Sequence, residues 1–208
     1  MNYLDSEESG KIVSDYLGVG VVCKGKTKGG VSSFVLEFET TGGDKYYFKQ
    51  GNKNYILQKE LSQKLFEQGL VQPSIVLATD QYMLEKGVVG ESVADIADRS
   101  RRLVVVEKFG EYLAKIHDNK IVGWGELVSI NVARCGSYLE YYEYLLPKVD
   151  EGLLPIVKRV LENTNESCLN HADTCYVHTY VDREENFWGL MDFDEVLGAP
   201  CLYEVGEF

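Results

Sequence analysis

Apolar residues recur at helical spacing from about Ser6 to Tyr16, where Ile12, Val13, Tyr16 and Leu17 share one side. The pattern then shortens to runs rich in Val, Phe and Tyr, at Val19 to Lys24, Ser33 to Thr40 and Lys45 to Gln50. Glycine-bearing breaks, GKTKGG and TTGGD, separate them, so the three read as an antiparallel meander. Helical spacing returns over Asn54 to Gln68, with Tyr55, Leu57, Leu61, Leu65 and Phe66 on one face and Gly69 as the stop. Two further strands are predicted around Ser74 to Thr79 and Gln81 to Lys86.

Beyond Gly87 to Gly90 (GVVG) the strand pattern gives way to helices. A short one is predicted at Val93 to Asp98, and a longer one at Arg101 to Asn119 with Leu103, Val106, Phe109, Leu113 and Ile116 inward. Tyr138 to Leu145 and Leu154 to Asn163 follow, the first unusually rich in tyrosine, while Gly123 to Cys135 reads as loop. Strands plus one helix, a connector, then helices with a terminal hairpin make an α+β plan with two lobes. Residues 1–86 form the first lobe, 87–90 the linker and 91–208 a mainly helical second lobe, with the crevice between lobes as the expected ligand site.

Composition narrows the function classes. A net charge of −12 argues against a nucleic-acid partner, whose footprint is basic, and suits a small cationic ligand. No apolar run reaches the roughly 20 residues that span a bilayer, and MNYLDSEESGKIV is too acidic and polar for a leader. No membrane association is expected. The five cysteines show no CxxC pair and are odd in number, so neither a zinc site nor a disulfide framework is expected, and a reducing cytoplasm is the default.

Candidate chemistry concentrates in the last forty residues. His171-Ala172-Asp173 and Asp192-Phe193-Asp194 stand with their first-named aspartates, Asp173 and Asp192, nineteen residues apart, and strand-like runs lie between. A β-hairpin there brings Asp173 and Asp192 to the same end of the ladder. Phosphoryl transfer uses such a pair, one carboxylate to orient an attacking hydroxyl and another to hold Mg²⁺ on the phosphates. Three other stretches bear on this chemistry. GGVSSFVLEF (Gly29 to Phe38) has small residues before a strand, which let backbone N–H groups approach phosphates but also make ordinary hairpin turns. YYFKQ places Lys49 at a strand end, with Glu60 on the next helix; Lys45 competes, although it follows a glycine-rich turn and should be exposed. YMLEKGVVGES (Tyr82 to Ser92) leads from a strand into the connector.

Taken in order along nearly all 208 residues, these motifs resemble the aminoglycoside phosphotransferase and choline kinase group, small-molecule kinases with a protein-kinase-like fold. The terminal LYEVGEF resembles the corresponding segment of hygromycin B phosphotransferases, with Glu204 in an anchoring position. The resemblance implies ATP or GTP as donor, Mg²⁺ or Mn²⁺ as metal, and a small, hydroxylated, cationic acceptor, with aminoglycosides among the candidates. It implies a phosphate-covering loop including Gly30, Ser32 and Ser33, a phosphate-pairing Lys49 held by Glu60, and an adenine-binding connector at Glu85 to Gly87. Asp173 takes the place of the catalytic base and Asp192 that of the metal ligand, with His171 bracing the loop; Asp194 and Glu195 read first as a solvated acidic turn, with water-mediated support of the metal as the alternative. Where the family has a metal-binding Asn, five residues after Asp173, this chain has His178, and TCYV (Thr174 to Val177) lacks the Gly-Asn turn. Imidazole suits softer metals than Mg²⁺, so a binding protein without turnover stands beside the enzyme as a reading, as does a kinase for choline, homoserine or a sugar. Relatives continue through further helices after the metal aspartate, so the resemblance implies a C-terminally short form whose acceptor wall comes from Gly123 to Asn165, including SYLEYYEYLL, or from a partner subunit.

Overall fold

Asp5 starts the first helix by accepting hydrogen bonds from Glu7 N and Glu8 N, while the Glu8 carboxylate returns to Asp5 N, a reciprocal cap that satisfies orphaned amides. The resulting α1 (Ser6–Leu17) ends at Gly18, whose φ of 67° fits the left-handed stop. This computed structural model describes residues 3–27, 33–70, 75–145, 152, 155, 166–182, 184 and 187–201. The chain divides into two units, Met1–Gly90 and Glu91–Phe208.

In the first unit, β1 (Val21–Lys26), β2 (Phe34–Thr40), β3 (Lys45–Gln50), β4 (Ile75–Ala78) and β5 (Tyr82–Lys86) form one antiparallel sheet in the order β1-β2-β3-β5-β4. Side chains alternate across it. One face carries Leu36, Phe38, Tyr46, Phe48 and Leu84, which bury against Val13 of α1. The opposite face carries Val35, Tyr47, Lys49, Met83 and Glu85, with Met83 packed against Ile75 and against Tyr55 of α2 (Tyr55–Glu67). Asn54 caps α2 by accepting from Leu57 N. The predicted strands and helices of this unit are present, β1 displaced two residues towards the C-terminus.

The second unit holds more strand than its sequence pattern suggests. Following the short β6 (Glu91–Ser92) and a 3-10 turn at Val93–Asp95, α3 (Arg99–His117) runs from an Asp98 cap. Its buried stripe is Val105, Phe109, Tyr112, Leu113 and Ile116. Leu103, expected inward, is 62% exposed because two residues of helix rotate it about 200° from Val105. Gly123 to Cys135, expected as loop, instead contains β8 (Trp124–Ser129) and β9 (Val132–Cys135), preceded by β7 (Lys120–Ile121). With β10 (Ser167–Asn170) and β13 (Leu197–Ala199) they form a sheet in the order β7-β10-β13-β8-β9. A Cβ on Gly125 would lie 2.4 Å from the Tyr141 ring of α4 (Tyr138–Leu145), and the residue's φ is +82°, so only glycine fits there. A third, smaller sheet joins β12 (Phe187–Leu190), β11 (Thr179–Val181) and β6. The helix expected at Leu154 to Asn163 lies, apart from Pro155, outside the described residues. Among the described residues no helix is long and apolar enough to cross a membrane.

Phe48 is fully buried in the α1-facing core and stacks on Tyr82 at 4.9 Å between centroids. Phe48→Ala is expected to lower unfolding free energy by about 3–5 kcal/mol, against ~0.5 kcal/mol or less for Phe66→Ala at a position 63% exposed. Urea denaturation of both variants measures the contrast.

Candidate functional site

Two ladders fix the loops that carry the acidic residues. Asn170 pairs with Leu197 at the end of β10/β13, and Thr179 pairs with Leu190 at the start of β11/β12. Residues 171–178 and 191–196 are therefore held at both ends by paired strands. Met191 N donates to His178 O at 2.8 Å, extending the second ladder by one rung. The first loop is tied further by Ser92 Oγ and Ala94 N, both donating to Tyr176 O. The expected closing hairpin thus exists, with a second strand pair behind it.

His171 is fully buried, and its Nε2 lies 2.9 Å from Met191 O. A carbonyl only accepts, so Nε2 carries the proton. The same ring meets Phe193 edge to face at 4.7 Å. His171 therefore grips the residues on both sides of Asp192. Asp192 has φ 65° and Ala172 has φ 61°, the two non-glycine residues with positive φ among those described.

His178 lies between the two principal carboxylates. Its Nδ1 is 3.3 Å from Asp173 Oδ2 and its Nε2 is 3.8 Å from Asp192 Oδ2. Nδ1 is also 3.1 Å from Asp173 O and 3.2 Å from Cys175 Sγ. Successive turns, Cys175 N to Asp173 O and His178 N to Cys175 O, bring Cys175 and His178 to one side three residues apart. Burial first, and then the Asp173 charge, push the Cys175 thiol above its ordinary pKa. The sequence contained a signal for Cys175, the C-x-x-H spacing from Cys175 to His178, which a search for paired cysteines passes over.

Asp192 fits the need of a hard cation such as Mg²⁺, which takes one or two carboxylates and completes its shell with water and phosphate oxygens. Asp194 and Glu195 follow in a 3-10 turn at Phe193–Glu195. His178 does not fit Mg²⁺; its nitrogen donors suit Mn²⁺ or a softer ion.

In the first unit, Lys49 Nζ pairs with Glu85 Oε2 at 3.2 Å, the two side chains 8% and 4% exposed. The partner expected for Lys49 was Glu60, but Glu60 is exposed on α2, whose inward polar residues are Gln58 and Ser62. Strand register explains the exchange. Tyr47 pairs with Glu85, so Lys49 and Glu85 project from the same face two residues apart. Glu85 is therefore a side-chain partner, and its backbone lies within the β3–β5 and β4–β5 ladders. Gly87 N donates to Lys45 O at 2.8 Å and so is already bonded within the sheet edge. Lys45 is exposed and pairs with Glu37, whose hydrogen bond and charge raise the lysine pKa. Ser33 is a half-buried bend before β2, whereas Gly30, Ser32 and Glu204 lie outside the described residues.

No protein-family model matches this chain, and neither does any curated protein sequence. Solved structures do match in fold. Aminoglycoside phosphotransferase APH(4)-Ia, in a thermostable mutant bound to AMP-PNP and hygromycin B, superposes with a TM-score of 0.73 at 16% identity over 95% of this chain and 74% of that one. Macrolide 2'-phosphotransferase MphH from Brachybacterium faecium gives 0.61 at 13% identity, over 91% and 72% of the two chains. An aminoglycoside-3'-phosphotransferase of type VIII gives 0.62 at 17% identity, over 95% and 81%. The fold is thus the protein-kinase-like α+β fold found in these small-molecule phosphotransferases.

Glu85→Ala removes a carboxylate from beside the buried Lys49 ammonium and is expected to lower stability by about 3–5 kcal/mol, while Glu60→Ala changes it by ~0.5 kcal/mol or less. Urea denaturation checks both. Equal losses would place the partner of Lys49 on α2.

Proposed function

We propose that this protein transfers the γ-phosphoryl group of ATP to a hydroxyl of a small molecule. The observation that carries the reading is the pair of aspartates, Asp173 and Asp192, set on opposite nitrogens of one imidazole by loops that strand pairing holds at both ends. The fold shared with a phosphotransferase whose structure contains AMP-PNP and hygromycin B supports ATP as the donor and a hydroxylated acceptor. Aminoglycosides are acceptors to test first, given the net charge of −12. Choline, homoserine and sugars form the rest of the panel. The five free cysteines suit a reducing cytoplasm.

In this reading Asp173 hydrogen-bonds the acceptor hydroxyl, orients its oxygen and takes its proton as the oxygen–phosphorus bond forms. The bond from the γ-phosphorus to the β–γ bridging oxygen breaks, and ADP leaves with that electron pair. Lys49, kept in place by Glu85, pairs the α- and β-phosphates, and residues near Ser33 cover them. Asp192 would hold Mg²⁺, which when bound supplies charge neutralisation at the phosphates. His171 sets the position of Asp192 by holding Met191 O and Phe193. Residues 1–86 act as the nucleotide-binding lobe.

One observation favours a second reading, nucleotide binding without turnover. The His178 ring and the Cys175 thiol sit against Asp173, where the acceptor hydroxyl must bind. A nucleotide at a hundredfold excess over its Kd adds about 2.7 kcal/mol of stability, so a thermal-shift titration with ATP and Mg²⁺ or Mn²⁺ comes first. Absence of any shift would sink both readings. A shift followed by transfer to a panel member selects the enzyme, and a shift with no transfer across the panel selects the binding protein. For the enzyme, Asp173→Ala is expected to lower phosphoryl transfer by about 10²–10⁴-fold with the circular dichroism spectrum unchanged. Wild-type turnover by that variant would refute the role of Asp173.

A further inference from the structure

The loop that follows β10 brings three different metal-ligating atoms together, and the proposed phosphoryl transfer uses only one of the three residues. Asp173, Cys175 and His178 each offer one donor atom, and the three atoms lie within 4.8 Å of one another. A tetrahedral ion bound at about 2.0–2.3 Å to O, N and S places adjacent donors about 3.3–3.6 Å apart. The edge from Cys175 Sγ to His178 Nδ1 is 3.2 Å and that from His178 Nδ1 to Asp173 Oδ2 is 3.3 Å. The His178–Asp173 edge thus already has the length that a zinc-sized ion requires, and the Cys175–His178 edge has only to open slightly. The donors are carried by consecutive turns between two strand ladders, so the backbone need not be ordered on binding. The Asp173 side chain is 45% exposed and that of His178 22%, which leaves an entry path and room for a water as fourth ligand.

We propose that Asp173, Cys175 and His178 form a site for a soft divalent cation of the zinc type, bound through one carboxylate oxygen, the Cys175 thiolate and His178 Nδ1. Nitrogen and sulfur donors select such ions over Mg²⁺. Binding displaces the thiol proton of Cys175 to solvent and shifts the His178 proton from Nδ1, where it would be donated to Asp173 O, to Nε2, facing Asp192 at 3.8 Å. Asp192 then stands where an outer carboxylate orients a metal-bound imidazole. The ion and an acceptor hydroxyl compete for the Asp173 carboxylate, so zinc occupancy shuts the site to phosphoryl transfer. That consequence rests on the function proposed above. The metal site itself does not.

The test uses Co²⁺ alone, a spectroscopic stand-in for Zn²⁺, added to the full chain without nucleotide or acceptor. Thiolate ligation gives a near-ultraviolet sulfur-to-cobalt charge-transfer band, and Zn²⁺ should then displace the cobalt and erase it. Cys175→Ser is expected to abolish the band, and His178→Gln to weaken Co²⁺ affinity by at least about 10-fold. Cys201→Ser should leave it intact, which separates this site from the Cys168 and Cys201 thiols that lie against each other. Absence of the band in the wild-type chain overturns the site, as does its persistence in Cys175→Ser. Should Cys175→Ser fail to fold, unchanged Co²⁺ affinity in His178→Gln overturns the site independently. A band without phosphoryl transfer to any acceptor leaves the metal site standing and removes the enzyme reading. Transfer without a band does the reverse.

Discussion

Strand register sets the geometry of this protein's chemistry. Two antiparallel ladders, β10 with β13 and β11 with β12, hold opposite ends of the same pair of loops, so neither loop can slide without breaking rungs at both ends. A slip of one residue would turn every side chain of a strand to the other face. The hydrogen bond from His171 to Met191 O and the edge contact with Phe193 then fix the second loop against the first from inside the fold. The positions of Asp173, His178 and Asp192 follow from those constraints, and no helix terminus is needed to supply them.

The first unit uses the same device for a different charge. Lys49 and Glu85 sit on adjacent strands of a sheet whose other face is a hydrophobic core. Burying either ion alone would cost several kcal/mol, so the pair is retained only as a pair. Their shared face is decided by the Tyr47–Glu85 rung and not by the helix that follows the lysine in sequence. Both units therefore place charged groups with backbone pairing, which is stiffer than side-chain packing at the surface.

The second helix was legible because its signals are local: Asn54 at its start and Gly69 after its end each act within a few residues. The paired aspartates were legible for a similar reason, since a hairpin between them is a short-range object. What escaped the sequence depended on contacts distant along the chain. Glu85 was read as connector backbone because nothing local reveals which strand lies beside β3. The strands within Gly123 to Cys135 were missed because two register shifts interrupt the alternation around Leu127, and because Gly125 is present to admit Tyr141. The inward face of α3 was read with Leu103 and Val106, whereas burial follows the stripe through Val105, Phe109 and Tyr112. In a helix with valines at three successive positions, periodicity alone does not choose the face.

Ala172 adopts a left-handed backbone beside Asp173, a conformation that costs an alanine about 1–2 kcal/mol. A glycine there would relieve that strain, yet it would also gain roughly 0.4–1 kcal/mol of freedom in the unfolded chain. The strain is the larger of the two effects, so glycine would be the more stable choice, and the two residues differ also in the breadth of the folded ensemble. An alanine held against its preference has few alternative wells to visit, so the carboxylate that follows it samples a narrower range of directions than a glycine would allow. Alanine thus gives up a little stability at this position, and a narrower spread of loop conformations is what it leaves in return.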